Sequence, residues 1–332
     1  MAAGAVATAL ILIAMGRMEW LRSAWLADAW RQERSLVLWM ALLQTAAGLF
    51  QGVRYHAMLR ATRVGTRMDE SVGATCVSTG LSIWLPASPA VAELLRLGLL
   101  CRRGSPERLV RLGRVTLASL MDRLLGLFTV FLLGSAFCGM ALWRGHVPPD
   151  AVNVIRVWGV GALLAAGGVA VVARACMRGT AAAPEAVPRR RRRARGRPRY
   201  LPRKLGVALA ALRAQAIRPR ELLLPAALAA ACFLMSGLVM ALSIRAIGGA
   251  APFAGVMAVL PVVFLSSVLP ASVGGLGAPQ LAGILAMGIL GAEPAVIASA
   301  GLLNAAVVLG VGTLLAAVFL PVVVPGSAFR RT

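Results

Sequence analysis

Leu269-Pro270-Ala271-Ser272-Val273-Gly274-Gly275-Leu276-Gly277-Ala278-Pro279 lies inside residues 246–292, a stretch without a single charged side chain. A run of that length is about twice what one helix needs to cross a bilayer, roughly 20 residues. The prolines at 270 and 279 and the glycines at 274, 275 and 277 prevent a helix from running straight through it. The segment is therefore broken mid-way. A break frees backbone groups that lipid cannot satisfy, so it is tolerated only against protein or a water-filled cavity.

The remainder of the chain is of the same kind. Of 332 residues, 59% are hydrophobic and 14% are charged, against about 25% charged in an ordinary soluble domain. This excludes a disordered chain and leaves too little polar surface for a soluble enzyme of this length. Further charge-free spans are read at 35–53, 71–92, 124–143, 157–173, 222–244 and 294–320, the second of them interrupted by Pro86 and Pro89. Residues 1–16 are apolar with no basic residues before them, which suits a short first helix better than a secretory leader. The expectation is an all-α, polytopic integral membrane protein of one domain, with seven or eight crossings and two re-entrant broken-helix segments. Its first half is 1–176 and its second half 221–332, joined by an arginine-rich loop at 177–220.

Arginine sets the orientation. The net charge is +23, and residues 174–220 hold 15 basic residues against one acid, Glu185. The core of that segment is Arg189, Arg190, Arg191, Arg192 and Arg193. It reads as a cytoplasmic loop that touches anionic lipid headgroups. No nucleic-acid-binding fold fits around it, so nucleic acid is not an expected partner. Arg60, Arg63 and Arg67, and then Arg102, Arg103, Arg108, Arg111 and Arg114, also belong inside. An even number of crossings must separate these two clusters, and one re-entrant hairpin broken at Pro86 meets that condition. The nearly neutral loop 144–150 falls outside, as do residues 17–34.

Leu85-Pro86-Ala87-Ser88 recurs as Leu269-Pro270-Ala271-Ser272, each copy between two apolar runs. Broken helices at matching places in two halves are a pointer to a transporter-type site near the midplane. Charged residues lie beside the first break. Glu93 and Arg96 share a helix face and can pair. Asp122 and Arg123 open a long apolar run. An arginine at mid-bilayer costs about 2.5–3.5 kcal/mol and normally faces the bundle interior with a partner. Adjacent residues point apart on a helix, so the expected cross-pairs are Arg123 with Glu93 and Asp122 with Arg96. Gly274, Gly275 and Gly277 could let backbone N–H groups approach an anion, but GGxG without a strand before it or GK[ST] after it makes no nucleotide site.

Five cysteines (Cys76, Cys101, Cys138, Cys176 and Cys232) show no CxxC spacing, and the histidines are only His56 and His146. No disulfide framework, metal or other cofactor is expected. Without a nucleophile–base set, no enzymatic activity is expected either.

At four stretches the chain resembles the lysylphosphatidylglycerol synthase transmembrane, flippase-like family. Gly52-Val53-Arg54-Tyr55-His56-Ala57-Met58-Leu59-Arg60 looks like its Arg-Trp-x-x-x-Leu helix end. Leu85-Pro86 through Glu93-Leu94-Leu95-Arg96 looks like its Pro…Gly-Glu-x-x-Arg segment. Met121-Asp122-Arg123-Leu124-Leu125-Gly126 looks like its Glu-Arg-x-x-Asp helix. Leu269-Pro270 through Gly277 and Gln280 looks like its Pro…Gly-Gly-x-Gly-x-Arg-Glu segment. Tyr55 stands where Trp is usual, Ala92 where Gly is, Gly126 where Asp is, and Pro279 and Gln280 where Arg and Glu are.

The resemblance implies translocation of a polar or charged lipid between leaflets of a bacterial inner membrane. Glu93, Arg96, Asp122, Arg123 and Gln280 would line the headgroup path, and Pro86, Pro89, Pro270, Gly274, Gly275, Gly277 and Pro279 would form the helix breaks. Membrane lipids are then the partners, beside a homo-oligomeric copy or a membrane enzyme. A rival reading is a non-transporting scaffold that docks a lipid- or glycan-modifying enzyme through the arginine loop.

Overall fold

The computed structural model describes residues 33–85, 88–101, 108–178, 219–267, 272–273 and 276–324. The chain order is α1 (Arg34–Ala61), α2 (Met68–Ser82), α3 (Ser88–Leu100), α4 (Arg108–Trp143), α5 (Val152–Arg178), α6 (Leu223–Ala246), α7 (Phe253–Ser266), β1 (Ser272–Val273), β2 (Leu276–Gly277), α8 (Ala278–Gly288) and α9 (Pro294–Val323). Single 3-10 turns precede α5 and α6.

Helices α1, α4, α5, α6 and α9 are each long and apolar enough to cross a membrane. The faces they leave uncovered bear this out. Val154, Val157, Val160, Leu163, Leu164 and Val171 of α5 are all exposed. In water such a stripe would drive association, whereas lipid accepts it without penalty. The chain is a multi-pass membrane protein. Five such helices stand among the described residues, against the seven or eight crossings expected; residues 1–32, where a first span was read, lie outside them.

The other four helices are short. α2, α3, α7 and α8 have 15, 13, 14 and 11 residues. At 1.5 Å per residue they are about 17–22 Å long, below the roughly 30 Å of a hydrocarbon core. They form two antiparallel pairs. Leu100, at the end of α3, clusters with Ala74 near the start of α2, while Pro89 at the start of α3 faces the same cavity as Ile83 just past α2. In the second pair Val256, early in α7, packs with Met287, late in α8. Both pairs are interrupted where the repeated Leu-Pro-Ala-Ser falls. At the second interruption β1 and β2 pair antiparallel, Ser272 opposite Gly277 and Val273 opposite Leu276. Gly277 has φ of 95°, a left-handed conformation that glycine takes without strain.

Two of the expected helix breakers act differently. Pro89 and Pro279 each occupy the second position of a helix, α3 and α8, and so start helices instead of ending them. There the missing N–H is one that no helix would use, and the fixed φ is already helical. Pro86, Pro270, Gly274 and Gly275 lie outside the described residues, as does the whole run Arg189–Arg193. Pro261, conversely, sits inside α7, which continues through it; its ring packs against Gly134 of α4, where a Cβ would collide with it.

The two halves interleave. α6 lies along α1 through Val37, Met40 and Val239, joined by Leu303 and Val307 of α9. α9 also crosses α2 very closely: a Cβ on Gly80 would strike the Gly312 carbonyl and the Ala316 methyl. Such small-residue crossings let membrane helices gain backbone-to-backbone van der Waals contact. α4 is held by α5 along one side and by α7 along another.

Candidate functional site

α1, α3 and α4 bring five charged side chains together at one level. Asp122 lies eight residues beyond Arg114, and Arg54 six residues before Arg60, so both sit about 9–12 Å inward of the arginine-bearing ends. Arg54 donates from Nε to Asp122 Oδ1 at 2.7 Å and from Nη2 to Oδ2 at 2.8 Å. This is the two-pronged geometry in which an arginine and a carboxylate bind most strongly. Both residues are buried, Asp122 at 2% exposure.

Glu93 is the second centre. Its Oε1 accepts from Arg123 Nε at 2.9 Å and from Arg96 Nη1 at 3.2 Å, and Arg123 Nη2 stands 2.7 Å from the same oxygen. Arg123 Nη2 also donates to the Pro89 carbonyl at 3.3 Å. Arg96 is 1% exposed. Its guanidinium carbon lies 4.4 Å from the centroid of the Tyr55 ring, a cation–π contact that offsets part of its lost hydration. Tyr55 is fixed in turn by a 2.9 Å hydrogen bond between its hydroxyl and Ser119 Oγ. Glu93 Oε2 and Arg96 Nε and Nη2 are buried with no hydrogen-bond partner among the described residues.

Above this cluster is a cavity of about 580 Å³, within the usual range for ligand sites. Arg54, Glu93, Asp122 and Arg123 line it, with Gln44, Gln51, Thr75 and Thr79 as further polar groups from the first half. The second half supplies Phe233, Ser236, Phe264, Ser267, Val311 and Gly312. Ile83, next to the first helix interruption, and Ser267, next to the second, both reach it.

The sequence-based pairing of Arg123 with Glu93 holds, as does that of Glu93 with Arg96 along one helix face. The pairing of Asp122 with Arg96 does not: Arg54 takes Asp122, and Arg96 turns to Tyr55 and Glu93. Arg54 and Tyr55 were not among the candidate path residues; an Arg-Tyr pair set six residues inside Arg60 on α1 was the available signal. Gln280 is not brought to this cluster. It is buried on α8, donates from Nε2 to the Ala298 carbonyl of α9 at 2.7 Å, and fits because Gly301 has no side chain. Among the described residues no three His, Cys, Asp or Glu side chains gather as they would around a metal ion.

No curated protein and no solved structure matches this chain. A family model does: that described as the lysylphosphatidylglycerol synthase TM region matches residues 1–316, nearly the whole length. The chain belongs to the family of the lysylphosphatidylglycerol synthase transmembrane region.

Proposed function

We propose that this protein carries a polar or charged lipid between leaflets of a bacterial inner membrane, with the headgroup passing through the cavity between α1, α3 and α4 on one side and α6, α7 and α9 on the other. On this reading the α2–α3 and α7–α8 pairs enter the bilayer part way and turn back, as the broken segments of transporters do. The observation that carries it is the coincidence of three features: five charged side chains gathered among apolar helices, a cavity between the halves, and both helix interruptions flanking that cavity. Charges so placed cost several kcal/mol unless they face protein or water, and are seldom kept without use. The protein acts here by binding and rearrangement, without making or breaking bonds. The test is leaflet-resolved lipid labelling in a deletion strain complemented with wild type or with Glu93→Gln. Translocation predicts a leaflet imbalance that wild type corrects and the variant does not; identical leaflet compositions in all strains overturn the proposal.

A further inference from the structure

Trp84 sits where a tryptophan is not expected. In membrane proteins the indole ring collects at the two interfaces, where its N–H reaches water or headgroups. Trp84 is 55% exposed, and its Nε1 donates instead to Thr313 Oγ1 of α9 at 3.1 Å, across 229 residues of sequence. Thr313 stands ten residues before the end of a 30-residue helix. A helix of that length overreaches the hydrocarbon at both ends, so Thr313 lies within it. The threonine hydroxyl donates its own hydrogen bond to the Leu309 carbonyl at 2.8 Å, which leaves its oxygen free to accept. Lipid tails offer the indole no other acceptor.

The cavity lies directly behind this bond. Ile83 and Gly312, the residues just before Trp84 and Thr313, line it. Ile83 is buried, and its Cδ1 is 3.7 Å from where a Cβ on Gly312 would stand. Leu81, one turn before Trp84, and Leu314, next to Thr313, are exposed together with the indole. The wall between cavity and bilayer is therefore a single layer of side chains here, Ile83 on Gly312 inside and Trp84 on Thr313 outside. α2 stops at Ser82, and helix ends open locally at lower cost than helix middles. One turn back, a Cβ on Gly80 would strike the Gly312 carbonyl. That close crossing is a fixed point about which the end can turn.

We infer that Ile83 and Trp84, at the end of α2, form a gate between the cavity and the bilayer, latched shut by the Trp84–Thr313 hydrogen bond and plugged by Ile83. Opening lifts Ile83 off Gly312 and joins the cavity to the hydrocarbon. It costs one hydrogen bond and a few apolar contacts, which lipid tails replace at little loss. No described ion pair includes a residue of 79–84, so the charged cluster is undisturbed. The gate is a property of this wall and stands whether or not the protein moves lipid between leaflets.

The test is the labelling rate of Cys232, a cavity-lining thiol, in liposomes, with Cys76, Cys101, Cys138 and Cys176 replaced by alanine. One reagent is a pyrene maleimide dissolved in the lipid; the other is a charged maleimide added to the water. Trp84→Phe and Thr313→Val each delete the latch while keeping most of the bulk. Each should raise labelling from the lipid by about threefold or more, the worth of a hydrogen bond between membrane helices. The double variant should be no faster than either single one, since both remove the same bond. Labelling from water should not change. Unaltered labelling from the lipid in either folded variant overturns the inference, including where the melting temperature falls, the mark of a bond that only holds helices together. A double variant that multiplies the two effects overturns the latch, and equal acceleration from water overturns the gate's direction. Either variant serves if the other does not fold. Accelerated labelling with identical leaflet compositions in all strains would remove the translocation proposal and keep the gate; unaltered labelling with a leaflet imbalance that wild type corrects would do the reverse.

Discussion

Arg54 and Asp122 are the two residues whose separation should be felt most. Both are buried and satisfy each other through two short hydrogen bonds. Asp122→Ala leaves a buried guanidinium without its counter-charge, and should cost about 3–5 kcal/mol. The double change Arg54→Met with Asp122→Leu should recover most of that loss, because apolar groups of similar volume replace a buried pair at little net cost. Thermal or denaturant melting of the three variants in micelles checks this; a double variant no better than the single one contradicts it. The site was half legible at this scale. Opposite charges at 93 and 123 could be matched because both stood beside the first break. Asp122 was assigned the wrong arginine because Arg54 is near Arg60 and Arg63 in sequence and reads as one more cation at a helix end. Only the fold shows it about two helical turns deeper, against α4. Gln280 was misplaced for a related reason: its position in a motif says nothing about which neighbour it faces, and here that neighbour is the α9 backbone.

At the scale of elements, glycines divide into those that set a crossing and those that do not. Gly80 lets α2 approach α9 until a Cβ would strike the Gly312 carbonyl. Gly80→Ala should therefore force the helices apart and lower stability by about 1–3 kcal/mol. Gly98, within α3, has nothing within 4 Å of its would-be Cβ. Gly98→Ala should be neutral or stabilising by up to about 1 kcal/mol, from helix propensity alone. Parallel melting curves separate the two; equal shifts would mean the α2–α9 crossing is looser than described. The two interrupted segments were legible because proline and glycine change backbone options whatever surrounds them. The boundaries were less so. Proline starts a helix as readily as it ends one, so Pro89 and Pro279 were read from the wrong side, and Pro261 passed unnoticed inside α7 because Gly134 makes room for its ring. α4 begins 16 residues before the charge-free run that announced it, since a helix continues past the bilayer where apolarity does not.

For the whole molecule, arginine distribution predicts which side faces the cytoplasm. Trypsin should cut between residues 189 and 204 in inverted membrane vesicles and spare those bonds in right-side-out ones; the reverse pattern would turn the protein over. The architecture also has an asymmetry that bears on how it could move. Every described ion pair lies between residues 54 and 123, within the first half. The hydrogen bonds described across the seam are few: Trp84 to Thr313 at 3.1 Å, and the long contacts of Cys232 with Ala47 and of Cys138 with Ala258. Much of what else joins α6, α7 and α9 to the helices opposite is hydrocarbon against hydrocarbon, which acyl chains can replace at little loss. The halves are thus zipped largely with grease, so a parting of the seam breaks none of these ion pairs and leaves the cationic ledge intact.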